Sequence, residues 1–173
     1  MAARYHVPEF EMHIHLVKER MWVVYGRLPC DRMNSRMIIE LGNYVVIMIN
    51  AFPPKSGIPW TYSPRNIINF KQLYFKKQCP IPFGTYIQSH YNWNTENQMI
   101  DRTQGDICLG PTGNLQGSYT FLSLRTRRKA THSQFKKLPT SSRITQRVTS
   151  MKIHKKNTRA CCLRDVMGWN YPW

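Results

Sequence analysis

Carboxylates are scarce in this chain. Its 173 residues include 9 Asp and Glu against 25 Lys and Arg, which gives a formal net charge of +16 at pH 7. Catalytic sites of the glycosidase or two-metal kind need several clustered carboxylates, so the composition leaves little room for them. A strongly basic chain is typical of proteins that bind a polyanion, most often nucleic acid, although a basic surface can also serve a membrane. The composition therefore indicates the class of partner rather than a reaction.

Long apolar runs are also missing. The most apolar run, residues 45–49, is far shorter than the roughly 20 residues that a membrane-spanning helix needs. Residues 1–11 contain no apolar core of the signal-peptide type. We therefore expect no membrane insertion and an intracellular protein, nuclear or cytoplasmic.

The cysteines form neither a metal-binding nor a disulfide pattern. The five lie at positions 30, 79, 108, 161 and 162, an odd number without a C-x-x-C pair, and no His or Cys spacing resembles a zinc site. Adjacent cysteines such as Cys161 and Cys162 have poor geometry for ordinary disulfides. This pattern favours a reduced compartment. A hydrophobic fraction of 42% argues against a wholly disordered chain.

The first third of the chain has a helical pattern. Apolar residues recur at alternating steps of four and three over residues 8–27, which predicts an amphipathic helix with Pro8 in its first turn. These residues are Phe10, Ile14, Val17, Met21 and Val24. A second helix is expected over residues 32–51, where Pro53 stops it. The pair Ser63-Pro64 predicts the N-cap of a short third helix.

From Pro80 the pattern changes to short alternating segments. Residues 83–88 and 119–122 alternate as strands do. We therefore expect an α+β protein in three parts. Residues 1–79 form a helical hairpin, residues 80–140 a small all-β, barrel-like domain, and residues 141–173 a basic, flexible tail.

Basic residues are concentrated in the second half of the chain. No Asp or Glu occurs between Asp106 and Asp165, whereas that interval holds 13 Lys or Arg. Cations without local acids neutralise phosphates and release counterions, so this region is expected to bind nucleic acid; a solvated basic surface is the alternative. Nothing specifies a base-reading helix, which favours sequence-independent binding. The predicted contacts are Arg125, Arg127, Arg128, Lys129, Lys136 and Lys137.

Three further motifs have simpler interpretations. His13 and His15 point to different sides of a helix, so pairing with nearby carboxylates is expected rather than a metal site. Residues 110–117 are rich in glycine but lack the Lys-Ser/Thr ending of a P-loop, and we interpret them as a turn between two strands. Tyr119 and Phe121 share one face of a strand, where core packing is the expected use and base stacking the alternative.

The order of the local motifs resembles that of a known family. It is similar, over roughly residues 5–150, to the Pol polyprotein of copia-type retrotransposons, from the end of the integrase catalytic core through the following β domain. The tail after Met151 matches no pattern of this family. The motifs that carry the resemblance are, in order, Val7-Pro8-Glu9, Asn50-Ala51-Phe52-Pro53-Pro54, Ser63-Pro64-Arg65, Phe83-Gly84-Thr85-Tyr86, and Gly110-Pro111-Thr112-Gly113-Asn114 with Gln116-Gly117-Ser118-Tyr119.

The resemblance implies that residues 1–79 are a fragment of an RNase H-like core that acts in DNA integration. Such integrases hold two divalent metal ions, Mg²⁺ or Mn²⁺, with two aspartates and one glutamate. The glutamate begins the last core helix, where this chain has Glu9, and Glu11 competes for the same role. The aspartates belong upstream, where only eight residues precede Glu9. We therefore expect Glu9 to be one ligand of an incomplete site, and the chain to be catalytically incomplete alone. A glutamate in a first turn also simply favours the helix.

The chain departs from the family at several positions. Arg127 stands where the family tends to place a glycine in a tight turn, and Ser141 stands where a proline is expected. Met12 and His15 replace basic residues of the first helix. Three explanations stay open: a truncated frame of a decaying element, a domesticated fragment with a new role, or an artificially bounded piece of a polyprotein.

Three functions follow as expectations. The first is a nucleic-acid-binding remnant of a retrotransposon integrase, with DNA as the expected partner and RNA as the alternative. The second is a basic RNA-binding component of a ribosome or another ribonucleoprotein. The third is a chain without function that self-associates through the exposed apolar stripe of its first helix.

Overall fold

The computed structural model describes residues 8–30, 32–53, 61–70, 74–90, 101–114 and 116–151. This part of the chain confirms the expected α+β class. Its elements are, in order, α1 (Pro8–Tyr25), α2 (Ser35–Ala51), α3 (Pro64–Asn69), α4 (Phe75–Gln78), β1 (Tyr86–His90), β2 (Thr103–Pro111), β3 (Tyr119–Ser123), β4 (Lys129–His132), β5 (Phe135–Lys137) and α5 (Ser142–Ser150).

The first three helices lie where the sequence predicts them. The side chain of Asn34 accepts a hydrogen bond from the N–H of Arg36 at 3.0 Å and so caps α2. The hydroxyl of Ser63 accepts from the N–H of Asn66 at 3.3 Å and caps α3, directly before Pro64. Both caps satisfy N–H groups that a helix leaves without partners in its first turn.

The five strands form one antiparallel sheet in the order β4-β3-β2-β1-β5. β1 begins later than the predicted strand because residues 83 and 84 form a turn. Gly84 has a φ of +80°, and a Cβ at this position would overlap the side chain of Leu28. Only glycine adopts this conformation without strain, so the turn requires the residue that the chain has there.

The sheet is strongly curved. Its two edges, β4 and β5, are joined by residues 133 and 134 alone. In a flat sheet the edges would be about 19 Å apart, four strand spacings, whereas the link from His132 to Phe135 reaches about 10 Å. The ring of Phe135 on β5 also lies 5.3 Å, centroid to centroid, from that of Phe121 on β3, three strand positions away. The two edges therefore approach each other.

Both faces of the sheet are buried. One, the helix-covered face, carries Ile107, Leu109, Leu122 and Leu124, which share a core with residues of α1, α2 and α5. The other, the aromatic face, carries Ile87, Cys108, Tyr119, Phe121 and Phe135, which pack together with Ile81. The helices thus pack on the outside of the curved sheet, and the aromatic residues lie on its concave side.

The first part of the predicted flexible tail, residues 141–173, is helical instead. Residues 142–150 form α5. Val148 and the following Met151 are buried in the core under the helix-covered face, and Ile144 packs against it. These three apolar side chains anchor the helix because steps of four and three place them on one side. The remainder of the predicted tail, residues 152–173, lies outside the described residues.

Within the described ranges, every helix is too short or too polar to cross a bilayer.

Candidate nucleic-acid interface

Four of the six predicted contact residues lie together where β3 turns into β4. We call residues 124–129, the connection and the first residue of β4, the basic turn. Its backbone is held by hydrogen bonds to Ser123. The N–H of Arg127 donates to the carbonyl oxygen of Ser123 at 2.9 Å, and the N–H of Ser123 donates to the carbonyl oxygen of Arg128 at 3.0 Å. The hydroxyl oxygen of Ser123 accepts from the N–H of Thr126 at 3.1 Å. The turn therefore has a defined conformation.

Arg127 has a left-handed backbone, with a φ of +57°. This conformation disfavours residues with a Cβ and is the usual place for glycine in a turn. Arg127 is also the residue at which the sequence resemblance predicts a glycine. Its side chain is exposed, as are those of Arg125 and Arg128, so the strained residue presents its guanidinium to solvent.

Helix α2 supports the turn at two points. Arg36 and Glu40 are four residues apart on α2 and therefore lie on the same side of it. The Nη1 of Arg36 donates to the carbonyl oxygen of Arg127 at 3.3 Å. The Nζ of Lys129, the first residue of β4, lies 2.8 Å from the Oε1 of Glu40. These contacts join the basic turn to a helix about 90 residues earlier in the chain.

The charge of the turn is only partly compensated. Lys129 forms an ion pair with Glu40. No described carboxylate forms an ion pair with Arg125, Arg127 or Arg128, which lie within four residues of one hydrogen-bonded turn. Three exposed guanidinium groups on one rigid loop can donate hydrogen bonds to phosphate oxygens without first leaving an acidic partner.

Lys136 and Lys137 lie apart from the basic turn, on β5. Lys136 pairs in register with Gln88 of β1, and Lys137 pairs with Ile87. Both lysines are exposed. Successive strand residues point to opposite faces, so the two ammonium groups leave the sheet in different directions. The structure thus places the predicted contacts in two groups, four residues at one edge of the sheet and two on the other edge strand.

Sequence reasoning missed a buried polar group beneath the turn. Ser89, Asp106 and Ser123 have no exposed surface. The hydroxyl of Ser89 donates to the Oδ2 of Asp106, and the Nε2 of Gln104 donates to the Oγ of Ser123. The hydroxyl oxygen of Ser123 also accepts the hydrogen bond from the N–H of Thr126. The buried group therefore extends from the aromatic face to the base of the basic turn.

Asp106 is the carboxylate of that buried group. Burial raises its pKa, while the hydrogen bond from Ser89 and the proximity of His132 act in the opposite direction. Its Oδ1 atom accepts no hydrogen bond from a described residue. The charged form is therefore disfavoured in the fold. The sequence signal was a lone Asp between glycine and isoleucine in an apolar run, which does not reveal burial by itself.

The aromatic residues of β3 are part of the core. Tyr119 and Phe121 are 1% and 0% exposed, so the alternative in which they stack on bases is wrong for this conformation. The hydroxyl of Tyr119 donates to the carbonyl oxygen of Gln78 at 2.9 Å and accepts from the N–H of Ile81 at 3.4 Å. Burial also raises the pKa of the Cys108 thiol to about 12, so that thiol stays protonated and inert.

Glu9 and Glu11 lie in the exposed first turn of α1. Among the described residues, no three His, Cys, Asp or Glu side chains are grouped to hold a metal ion. Within the described ranges, Glu9 is therefore not part of a group of three such side chains, the kind of group that a two-metal site requires.

The two histidines of α1 make different local contacts. The Nδ1 of His15 lies 3.5 Å from the Oε1 of Glu19, which is the expected surface pairing. The Nδ1 of His13 instead donates to the backbone carbonyl oxygen of Glu9 at 2.7 Å, so its partner is the main chain rather than a carboxylate.

The apolar stripe of α1 is divided between core and surface. Met21 is buried, and Val17 and Val24 pack against the core. Phe10 is 70% exposed and Ile14 is also exposed. The first half of α1 thus extends past the core that covers its second half, and it presents apolar side chains to solvent.

Comparison of the chain with protein-family models, with curated proteins and with solved structures finds no match.

Proposed function

We propose that the chain is a nucleic-acid-binding remnant of a copia-type retrotransposon integrase, and that the basic turn binds the phosphate backbone of duplex DNA. The observation that carries this proposal is the turn itself. Three exposed arginines lie on a hydrogen-bonded loop, and none pairs with a described carboxylate. Phosphate contacts of this kind give affinity without reading sequence.

Two backbone conformations support the resemblance. Gly84 has a positive φ in the motif Phe83-Gly84-Thr85-Tyr86, and a Cβ there would overlap Leu28. Arg127 has a positive φ at the family's glycine position. Both positions therefore have the backbone geometry for which a glycine would be retained in a family.

The curvature of the sheet supports a barrel-like interpretation of residues 80–140. The short link between β4 and β5 and the contact between Phe121 and Phe135 draw the edges of the sheet together. In this proposal α1 and α2 correspond to the last helices of an RNase H-like core. Because they share a core with the sheet and α5, the boundary between residues 79 and 80 stays a prediction.

The proposal assigns binding, not catalysis, to this chain. In this proposal Glu9 corresponds to the metal-binding glutamate of the family, but the described residues supply no group of three ligands around it. The exposed Phe10 and Ile14 support a further expectation, that copies of the chain self-associate through the first half of α1.

The test is the salt dependence of DNA binding. We expect the double substitution of Arg125→Gln and Arg128→Gln to weaken binding of a duplex oligonucleotide and to reduce the slope of log K against log[salt] by about 2, since each phosphate contact contributes about 0.9. Fluorescence anisotropy at four or five salt concentrations measures this slope. The double substitution of Arg20→Gln and Lys76→Gln removes the same charge from α1 and α4 and serves as the control.

The outcomes separate the candidate functions. An unchanged slope in the turn variant, or an equal change in the control, contradicts binding through the basic turn. The double substitution of Lys136→Gln and Lys137→Gln tells whether β5 also contacts phosphate. If structured RNA displaces duplex DNA at a much lower concentration than unlabelled duplex does, the ribonucleoprotein function replaces the integrase remnant.

A further inference from the structure

Glu40 is an acidic residue that contacts the basic surface predicted to bind DNA. It lies in the first half of α2 and pairs with Lys129, 89 residues away. We propose that Glu40 competes with DNA phosphate for Lys129, so that one cation of the basic surface is masked in the free protein and limits its affinity. This inference rests on the proposed binding of DNA by the basic turn.

The two partners of the ion pair differ in exposure. The side chain of Glu40 is 16% exposed, whereas that of Lys129 is 47% exposed. The carboxylate is therefore held in the protein, and the ammonium faces both the carboxylate and solvent. A lysine ammonium has three donors, so an approaching phosphate meets a cation whose charge is already shared.

Helix α2 places Glu40 next to a second residue that contacts the basic turn. Arg36, one helical turn earlier, donates to the carbonyl oxygen of Arg127. One side of α2 thus contacts the backbone of the turn through Arg36. Through Glu40 the same side compensates the charge of Lys129. The first contact positions the arginines, and the second reduces the number of uncompensated cations from four to three.

The competition has a defined physical consequence. An anion 2.8 Å from Lys129 cancels most of its attraction for a second anion, and it repels a phosphate approaching the turn. Binding of DNA must then weaken the ion pair or proceed without Lys129. In either case the number of counterions released is smaller than the number of basic residues suggests.

The test uses two substitutions with the same change in charge. Glu40→Gln keeps the shape of the side chain and removes its charge, and Glu19→Gln does the same at an exposed position on α1. We expect Glu40→Gln to raise duplex affinity roughly three- to tenfold near 100 mM salt and to steepen the salt slope by about one. Glu19→Gln should leave the slope unchanged.

Lys129→Met, made in both backgrounds, completes the cycle. We expect it to have little effect in the otherwise unchanged protein and to abolish the gain in the Glu40→Gln protein. Equal effects of Lys129→Met in the two backgrounds, or equal gains from Glu40→Gln and Glu19→Gln, overturn the inference while leaving DNA binding intact. If the unchanged protein binds no duplex DNA, the proposed function fails and the inference falls with it.

A folding defect would be recognised separately. Thermal unfolding followed by circular dichroism shows whether Glu40→Gln is folded. Should it be unfolded, Lys129→Met alone decides, because a masked lysine predicts an unchanged slope and an unmasked lysine predicts a slope reduced by about one.

Discussion

The two faces of the sheet are both buried, but they are covered in different ways. Aliphatic side chains of the helix-covered face pack against α1, α2 and α5, elements that lie at the two ends of the described chain. The aromatic face is closed by the curvature of the sheet, with Phe135 against Tyr119 and Phe121 at 5.4 and 5.3 Å between ring centroids. It also contains the buried group of Ser89 and Asp106.

The difference teaches where each part of the molecule obtains its stability. The aromatic face is assembled from residues 81–135, in the sheet and in the segment just before it, so its core includes no side chain of α1, α2 or α5. The helix-covered face needs helices from well outside that range, and the basic turn lies at the edge of the sheet where α2 reaches it. Binding by the turn is therefore coupled to the packing of α2, whereas the aromatic core is not.

The largest expected effect comes from truncating the aromatic face. Phe121 is fully buried and contacts Tyr119, His132 and Phe135. We expect Phe121→Ala to lower the free energy of unfolding by about 3–5 kcal/mol, through lost burial and a cavity. Urea denaturation measures this change. Phe70→Ala, at a residue that is 92% exposed, is the control and should change the unfolding free energy by less than about 0.5 kcal/mol.

A substitution under the helix-covered face tests whether the two faces of the sheet unfold independently. Leu41 is one of the fully buried residues of α2 under the helix-covered face. In Leu41→Ala the amides of α1 and α2 should lose hydrogen-exchange protection before those of β1–β3, because the aromatic face is untouched. Equal and simultaneous loss of protection in helices and strands would show a single cooperative unit.

A smaller effect, specific to the aromatic face, is expected from Asp106. Burial raises its pKa above the ordinary value of 3.8, so the protonated form favours folding. That contribution is fully present below the pKa of the unfolded chain and is lost as pH rises through the pKa of the folded protein. Asp106→Asn should therefore stabilise the protein at pH 7 by about 1 kcal/mol, because it removes the cost of burying a charge.

The pH dependence provides the control for that substitution. Thermal melts between pH 4 and pH 8 should show that Asp106→Asn removes a component of stability that falls with rising pH (about four pH points suffice). Asp101→Asn, at an exposed carboxylate, should leave this component in place. A wild-type curve that rises with pH throughout the acid range, and is unaltered by Asp106→Asn, contradicts the burial of a disfavoured charge.

The smallest expected effect concerns the basic turn. Arg127 has a positive φ, which a residue with a Cβ adopts at a cost. We expect Arg127→Gly to raise the unfolding free energy by about 0.5–1 kcal/mol, and to weaken DNA binding by removing one cation. Arg128→Gly removes the same charge at a residue without positive φ and should instead lower stability by about 0.5–1 kcal/mol. Equal signs for the two variants would contradict the strain.

Much of the helical part follows from the sequence. Apolar steps of three and four predict α1 and α2, and the Ser63-Pro64 pair predicts α3. The two strands with clear alternation, β1 and β3, are also predicted. β2 was missed because Ile107, Cys108 and Leu109 are buried in succession, on alternating faces, so no polar residue marks the solvent side.

The short elements of the second half carry weaker signals. β4 and β5 have four and three residues and lie at the sheet edges, where exposed basic side chains conceal the alternation. α5 had a detectable signal in the spacing of Ile144, Val148 and Met151, but its polar residues outweighed it.

The candidate site also has one part that the sequence predicts and one part that it does not. The density of cations from Arg125 to Lys129 is visible in the sequence. The contacts with Arg36 and Glu40 are not, because they join residues 91 and 89 positions apart. Local composition indicates which residues meet the partner, whereas the tertiary packing of α2 determines how many of them are available.

The two-residue link between the edge strands also constrains the order of assembly. β5 cannot reach β1 while the sheet is flat, because the link from β4 is too short to cross the intervening strands. β4 and β5 can therefore both be paired only when β1, β2 and β3 have bent together, whichever edge strand joins first. The second of the two edge strands to pair closes the sheet, and the amides of β4 and β5 together report when the sheet has reached its final shape.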